Sequence, residues 1–343
     1  MKKVRIAIVG LNFGRYILDQ ICTGPGRDHL ELAGVCDLDA AKVRQYAAQT
    51  GTRAYRDLAE VLADPTLPAV GLFTPPVGRS KLIQQAIRAG KHVLTTKPFE
   101  LDARAAADVL AEARRLNRAV HLNSPAPTLP ADLVQIKQWQ QQYQLGRPVG
   151  CRADVWANYR ELADGSWYDD PQRCPVAPVF RLGIYLINDL VAIFGAATAV
   201  QVLHARLNTG RPTPDNAQLS IRFQTGGLAN VFASFCVNDG DQYRNSLVLN
   251  FENGTIYRNC GPARSAGGAA ELSLIMATDG KRRLVEQVNL DETSGDYQWA
   301  VFAKVVRGET LTDETSADQI VAGIQVITAM ARAEQSGATE GVQ

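Results

Sequence analysis

A lysine between an apolar strand and a proline is badly placed for mere solubility and well placed to meet a developing negative charge. In this sequence it is Lys97, which follows His92-Val93-Leu94-Thr95-Thr96 and precedes Pro98. Held by a rigid turn and partly desolvated, its ammonium can donate to a carbonyl oxygen or an alkoxide. Arg181 and Tyr185 stand four residues apart in an apolar helical stretch and so share a face, with Asn188 and Asp189 continuing near it. A tyrosine close to Lys97 and Arg181 is expected to have a lowered pKa, which suits proton exchange with a hydroxyl or carbonyl. Arg181 suits an anionic or strongly polar substrate such as a sugar acid or phosphate; the plainer alternative is a pair with Asp189 or another carboxylate. Trp156, Tyr159 and Arg160, then Trp167 and Tyr168, offer aromatic faces that stack on sugar rings or simply pack their loops. Asn123 and Ser124 end a strand and are expected at a cleft, with Asn123 a candidate substrate contact.

A second set of residues has the chemistry of nucleotide binding. Val9-Gly10-Leu11-Asn12-Phe13-Gly14-Arg15 is a strand ending in a tight turn that feeds a helix. Such a turn offers free N–H groups and the positive end of the helix dipole to a pyrophosphate. Gly10 is expected to allow the sharp turn and Gly14 a close helix–strand approach. Asn12 stands where the G-x-G-x-x-G pattern has its second glycine, and asparagine is the least costly non-glycine residue at positive φ. Asp37 follows Val35-Cys36, where a carboxylate can accept from adenosine ribose hydroxyls. With Asp39 it repels a 2′-phosphate, so NAD is expected over NADP, NADP remaining the second choice. Thr74, Pro75 and Pro76 after one strand, and Lys97 and Pro98 after the next, complete the expected cofactor contacts, the nicotinamide lying near Pro75-Pro76.

Strands and helices must place these groups. Val4–Gly10, Leu30–Cys36, Ala69–Thr74, His92–Thr96 and Ala119–Asn123 read as strands. Helices are expected at Phe13–Cys22, Asp57–Ala63, Arg79–Ala89 and Ala103–Leu116. This alternation implies a doubly wound parallel sheet of the α/β class over residues 1–124. After the proline-rich joint at 125–130 the pattern changes to long β-type runs separated by Gly226-Gly227, Asn253-Gly254 and Asp279-Gly280. A helix at Ala131–Gln142, an apolar helix at Phe180–Phe194 and two closing helices accompany them. Residues 125–343 therefore read as an α+β domain with a large, mostly antiparallel open sheet and helices on one face. The other face calls for a cover, and a second copy of the chain is the expected one.

Val9-Gly10-Leu11, Asp37, Thr74-Pro75-Pro76, Ala89-Gly90-Lys91-His92-Val93, Lys97-Pro98, Leu145-Gly146-Arg147-Pro148 and Gly183-Ile184-Tyr185 resemble the glucose–fructose oxidoreductase/inositol dehydrogenase (Gfo/Idh/MocA) family. The resemblance spans nearly the whole chain and is densest through residue 123. It implies a Rossmann domain, a catalytic lysine at Lys97, and a second domain used for substrate binding and oligomerisation. It also implies NAD(P)-dependent oxidation of a sugar or cyclitol CH–OH group, or the reverse ketone reduction. The chain departs from the family pattern at three places: Thr96 replaces the glutamate of Glu-Lys-Pro, Arg79 a histidine, and Arg181 and Tyr185 the ends of Asp-x-Gly-x-His. Gly-Ile-Tyr resembles the branch in which that tyrosine is the acid/base, which also admits a planar aromatic substrate. The expected catalytic set is thus Lys97, Tyr185 and Arg181. The expected substrate contacts are Lys97, Asn123, Trp156, Tyr159, Arg181, Tyr185 and Asn188. Because three usual catalytic positions differ, a non-catalytic NAD(P)-binding sensor or regulatory protein is the alternative.

Composition narrows the partners. The 343 residues carry 36 Lys plus Arg against 35 Asp plus Glu, a net charge of +1, which gives no electrostatic case for nucleic acid or an anionic membrane. No run approaches the roughly 20 apolar residues of a spanning helix, and the N-terminus lacks a signal-peptide core. The six cysteines form no Cys-x-x-Cys pair and the four histidines are isolated. No metal is therefore expected, and the thiols read as free in a reducing cytoplasm. The expected partners are a small sugar-like substrate and further copies of the chain, as a homodimer or homotetramer.

Overall fold

The computed structural model describes residues 2–240, 243–261, 270–291, 295–309 and 315–343. The chain folds as two compact units, Met1–Thr128 with Tyr297–Ala317, and Leu129–Asp296 with Asp318–Gln343. These do not coincide with the 1–124/125–343 division. The segment from Tyr297 belongs with the first unit because Tyr297, Trp299, Phe302 and Ala303 enter the same apolar cluster as Ile6, Ile8, Ile17 and Phe73.

The first unit is a six-stranded parallel sheet in the order β3-β2-β1-β4-β5-β6. Its strands are β1 (Val4–Val9), β2 (Leu30–Cys36), β3 (Arg53–Ala54), β4 (Ala69–Leu72), β5 (His92–Thr95) and β6 (Val120–His121). Helices α1 (Leu11–Cys22), α2 (Ala40–Thr50), α3 (Leu58–Ala63), α4 (Arg79–Arg88) and α5 (Ala103–Arg115) connect them. Strands β1 and β4 are apolar along nearly their whole length, as parallel strands covered on both faces must be. Helix α2 was not among the expected elements. Only Val43 and Ala47 of its eleven residues are buried, too few to show a helical period.

The second unit holds a nine-stranded sheet in the order β14-β13-β12-β11-β7-β10-β9-β8-β15. Chain order runs α6 (Ala131–Gln142), β7 (Pro148–Trp156), α7 (Ile184–Phe194), β8 (Ala197–Ala205), β9 (Asn216–Phe223) and β10 (Leu228–Ser234). It continues with β11 (Arg244–Phe251), β12 (Gly254–Arg258), β13 (Ala270–Thr278), β14 (Lys281–Leu290), α8 (Trp299–Val306, in the first unit), α9 (Ala317–Ser336) and β15 (Glu340–Gly341). Strands β7 and β10 pair in parallel and the other neighbours antiparallel. Arg258, at the end of β12 and 1% exposed, bonds Asp132 of α6 at 2.7 Å and Asp189 of α7 at 2.8 Å, which places both helices on one face. The helix expected at Phe180–Phe194 has two parts, a π turn at Val179–Gly183 and then α7.

Candidate functional site

In the first unit, parallel pairing aligns Cys36, Val9, Leu72 and Thr95 in one row across four strands. The residues that follow them, Asp37, Gly10, Phe73 and Thr96, therefore emerge together at the carboxyl edge of the sheet. Ligands of open α/β sheets bind at that edge. Gly10 has φ +89°, and a Cβ there would lie 2.8 Å from the backbone carbonyl of Phe73. The turn thus passes so close to the end of β4 that only glycine fits. At Gly14 a Cβ would meet Ile8 Cγ2 at 3.1 Å, so α1 packs tightly on β1.

The expected role of Asn12 is corrected. It lies inside α1 and is not among the positive-φ residues; the left-handed position of the turn is Gly10 itself. Asn12 Oδ1 instead accepts from Lys42 Nζ at 2.6 Å. Lys42 belongs to the unforeseen α2, so the sequence reading missed this cation. Its signal was Asp39, whose carboxylate caps α2 through the N–H groups of Ala41 and Lys42. Phe13 is 37% exposed on α1 and contacts Tyr16 and Phe73.

Asp37 is fixed by two amides: Leu11 N–H donates to Oδ2 at 2.6 Å and Asp39 N–H to Oδ1 at 2.9 Å. The carboxylate thus sits against the first residue of α1, whose N-terminus has no side-chain cap from Gly10 and no acid in its first turn. A glycine cradle, a helix start whose Leu11 amide is taken by Asp37 while the following amides face the same edge, and that adjacent carboxylate fit a dinucleotide: amides for the pyrophosphate and an acceptor for ribose hydroxyls.

Further along the same edge, Thr74 and Pro75 are half-buried and Pro76 is buried. Lys97 is half-buried after β5, and its bond to Pro98 is cis. Thr96 Oγ1 donates to Asn123 Oδ1 at 3.2 Å, and Asn123 is buried beyond β6. These residues, Lys97 included, form one continuous stretch of the sheet edge.

The second unit gathers a different set. Both terminal nitrogens of Arg181 bond Glu161, at 2.7 and 2.8 Å. Its guanidinium lies 4.3 Å from the ring centroid of Tyr168, 4.7 Å from Phe235 and 5.1 Å from Tyr159. Glu161 also accepts from Arg211, which in turn bonds Asp164 and Asp169. Burial pushes the Glu161 carboxyl up, but the two arginines outweigh it and hold it below the usual carboxylate range. The fork offered to an anion is therefore engaged by Glu161, the other carboxylate the sequence left open, while Asp189 accepts from Arg258. This cluster joins loop residues 161–169 to Arg211 without any periodic pattern, so nothing in the sequence announced it.

Tyr185 is half-buried on the first turn of α7, and its ring edge would lie 3.2 Å from a Cβ on Gly295. Asn188 does not continue the Arg181–Tyr185 set at an open surface. It is 5% exposed, with Oδ1 set so close to Gly323 of α9 that no Cβ fits there. Trp156 is likewise separated. Its neighbour three residues back, Ala153, pairs with Val231, which faces the π turn, so alternation sends Trp156 to the opposite sheet face. There its indole donates to Asp239 at 3.1 Å and lies under Arg244. Tyr159, 36% exposed, stays with Arg181.

Among the described residues no group of three or more His, Cys, Asp and Glu side chains could hold a metal ion. No described helix is long and apolar enough to cross a membrane.

Two family models match the chain. One, for an oxidoreductase family with an NAD-binding Rossmann fold, covers residues 4–124; the other, for the GFO/IDH/MocA C-terminal domain, covers residues 133–257. An uncharacterized oxidoreductase of Schizosaccharomyces pombe is 26% identical over 219 residues, 62% of this chain and 57% of its own length. UDP-N-acetylglucosamine 3-dehydrogenase of Acidithiobacillus ferrooxidans is 26% identical over 212 residues, 61% of each chain. The match thus spans less than two thirds of either relative. Among solved structures, the WlbA dehydrogenase of Bordetella pertussis, in complex with NADH and UDP-GlcNAcA, superposes with a TM-score of 0.72 at 18% identity, covering 100% of this chain and 99% of its own. At that identity the likeness is one of fold.

Proposed function

The chain belongs to the Gfo/Idh/MocA family of oxidoreductases, with an NAD-binding Rossmann domain at its start, and we propose that it moves hydride between NAD(H) and a secondary alcohol or ketone of a sugar-like or cyclitol substrate. The observation that carries this reading is the row of strand ends: one sheet edge bears the glycine turn, Asp37, Thr74-Pro75-Pro76 and Lys97. NAD(H) supplies or accepts the hydride. Gly10, Phe13, Gly14 and the start of α1 hold the pyrophosphate, Asp37 the ribose, and Thr74, Pro75, Pro76 and Pro98 the nicotinamide end. Lys97 donates to the substrate oxygen and lowers the cost of its negative charge, and Tyr185 exchanges the proton of that oxygen. Asn123 and Tyr159 are the proposed polar and stacking contacts. Arg181 orients substrate through the Tyr159–Tyr168 loop it holds with Glu161. With that fork already engaged, an uncharged sugar-like substrate is favoured over a sugar acid, and turnover of acids alone would reverse that choice.

The test is the Lys97→Ala variant beside the wild type, assayed by NADH fluorescence with a panel of neutral sugars, cyclitols, keto-sugars and sugar acids. The expected result is wild-type turnover on a member of the panel, its loss in the variant, and a nearly unchanged NADH affinity. Unchanged turnover in the variant rejects the role of Lys97. Tight NADH binding with no turnover by the wild type favours the sensor instead.

A further inference from the structure

We propose that Arg79 is the positioning residue for Lys97, a buried guanidinium clamp on the backbone to either side of it; this rests on the reading of Lys97 given above. Arg79 opens α4 and is 3% exposed. Its Nη1 donates to the Thr96 carbonyl at 2.8 Å, to Thr95 Oγ1 at 3.3 Å and to the Pro98 carbonyl at 3.3 Å. Its Nη2 donates to the carbonyl of Thr74. One side chain therefore holds the residue before Lys97, the residue after it, and the start of the Thr74-Pro75-Pro76 turn on the neighbouring strand.

The physics favours this arrangement over incidental packing. Carbonyls just past the last ladder pair of a parallel strand have lost their sheet partners, and buried ones must find others. Taking a guanidinium out of water costs several kcal/mol unless its donors are met. The terminal nitrogens Nη1 and Nη2 meet these carbonyls together only if the loop keeps one shape, so the clamp selects a single path for residues 95–98. Glu100 holds the same segment from the far side. Its carboxylate, 3% exposed, accepts from Ser80 N–H at 3.1 Å, Ser80 Oγ at 2.6 Å and Leu101 N–H at 2.8 Å. The first turn of α4 and the Lys97 loop are thus cross-linked by a cation on carbonyls and an anion on amides. A planar fork is required: a lysine carries the charge but cannot span acceptors on two strands. Two departures of the sequence from its family pattern, Arg79 and Thr96, are thereby in contact.

The experiment uses the whole chain and the variants Arg79→Lys and Arg79→Gln, read in whichever folds with wild-type circular dichroism. The first readout is hydrogen–deuterium exchange of the cofactor-free protein. Exchange over 95–99 is expected to quicken about tenfold, the size of one lost hydrogen bond of about 1.4 kcal/mol, with the second unit unchanged. The second readout is kinetic: kcat is expected to fall about 100-fold, the scale of a reactive group displaced by about 1 Å, with little change in the substrate KM. Added guanidinium ion is expected to restore part of the rate to Arg79→Gln. Wild-type exchange over 95–99 in a folded variant overturns the clamp, and so does a lost kcat that comes with wild-type exchange. If the wild type turns over no member of the panel, the oxidoreductase reading fails, while the exchange measurement still decides whether Arg79 orders this loop.

Discussion

Cofactor choice turns on single residues at the end of β2. Asp37 presents a carboxylate pinned by the amides of Leu11 and Asp39, so it cannot swing away from an incoming phosphate without losing both bonds. Lys42 lies on the same rim through its 2.6 Å contact with Asn12. With the Asp37 carboxylate present, a 2′-phosphate meets a like charge there; without it, the Lys42 ammonium remains on the rim beside Asp39, whose carboxylate is tied to the N–H groups of Ala41 and Lys42. The wild type is therefore expected to bind NADH more tightly than NADPH, and Asp37→Ser to reverse the order. A like-charge contact at a partly exposed site is worth about 1–2 kcal/mol, so each affinity is expected to shift about tenfold, NADPH gaining and NADH losing. Fluorescence titration of both nucleotides checks it, and a variant that still rejects NADPH removes the assignment. Asp37 was legible in the sequence because its place at the end of the second strand, after Val35-Cys36, follows from fold geometry. Lys42 was not, since its role depends on a helix with hardly any apolar face.

At the scale of elements, the return of Tyr297–Ala317 to the first unit is the feature local sequence could not reveal. A strand shows itself through its own period and a turn through its own glycine. A segment that docks 176 residues away from its partner shows only polarity. Its anchor is His121 on β6, whose Nε2 lies 2.7 Å from the Tyr297 carbonyl and whose ring meets Phe302 at 5.1 Å. Burial pushes the His121 pKa down from 6.5 to about 4, with the Tyr297 carbonyl opposing it. Between those values the unfolded chain binds more protons than the folded one, so stability is complete above about pH 6.5 and is lost as pH falls toward 4. The loss attributable to this one group is roughly 3 kcal/mol at most. Urea unfolding at pH 5 and pH 7 is expected to show a smaller difference in His121→Gln than in the wild type, where His92, also pushed down to about 4 by burial, remains in both. An identical pH dependence would place the acid sensitivity elsewhere. The π turn is a further element outside sequence reach, because one extra residue per turn leaves the apolar content of 179–194 unchanged.

For the whole molecule, the exposed face of the nine-stranded sheet decides whether the chain acts alone. Register places Leu203, Leu228 and Leu284 on that face, 72%, 58% and 57% exposed, with half-buried Phe232, Val248 and Tyr257 between them. Nine strands at about 4.8 Å spacing and about 20 Å length give a face of roughly 800 Å², the area one partner contributes to a standard interface. The edges are less suited to association. At one, Lys281, Arg282 and Arg283 of β14 are exposed, and charged edge strands resist pairing. At the other, β15 already pairs with β8. Association through a face rather than an edge closes on itself, which favours a discrete dimer, or a tetramer built from dimers, over a fibre. A near-zero net charge removes long-range repulsion between copies. We therefore expect light scattering at micromolar concentration to give a dimer or tetramer. Leu228→Glu, which places a charge on that face at the start of β10 and buries it only if copies meet there, is expected to shift it to monomer while leaving NADH affinity unchanged. A wild type that runs as a monodisperse monomer, or a Leu228→Glu variant that keeps its assembly, would mean that this sheet face stays in water and that the apolar residues on it serve the single chain.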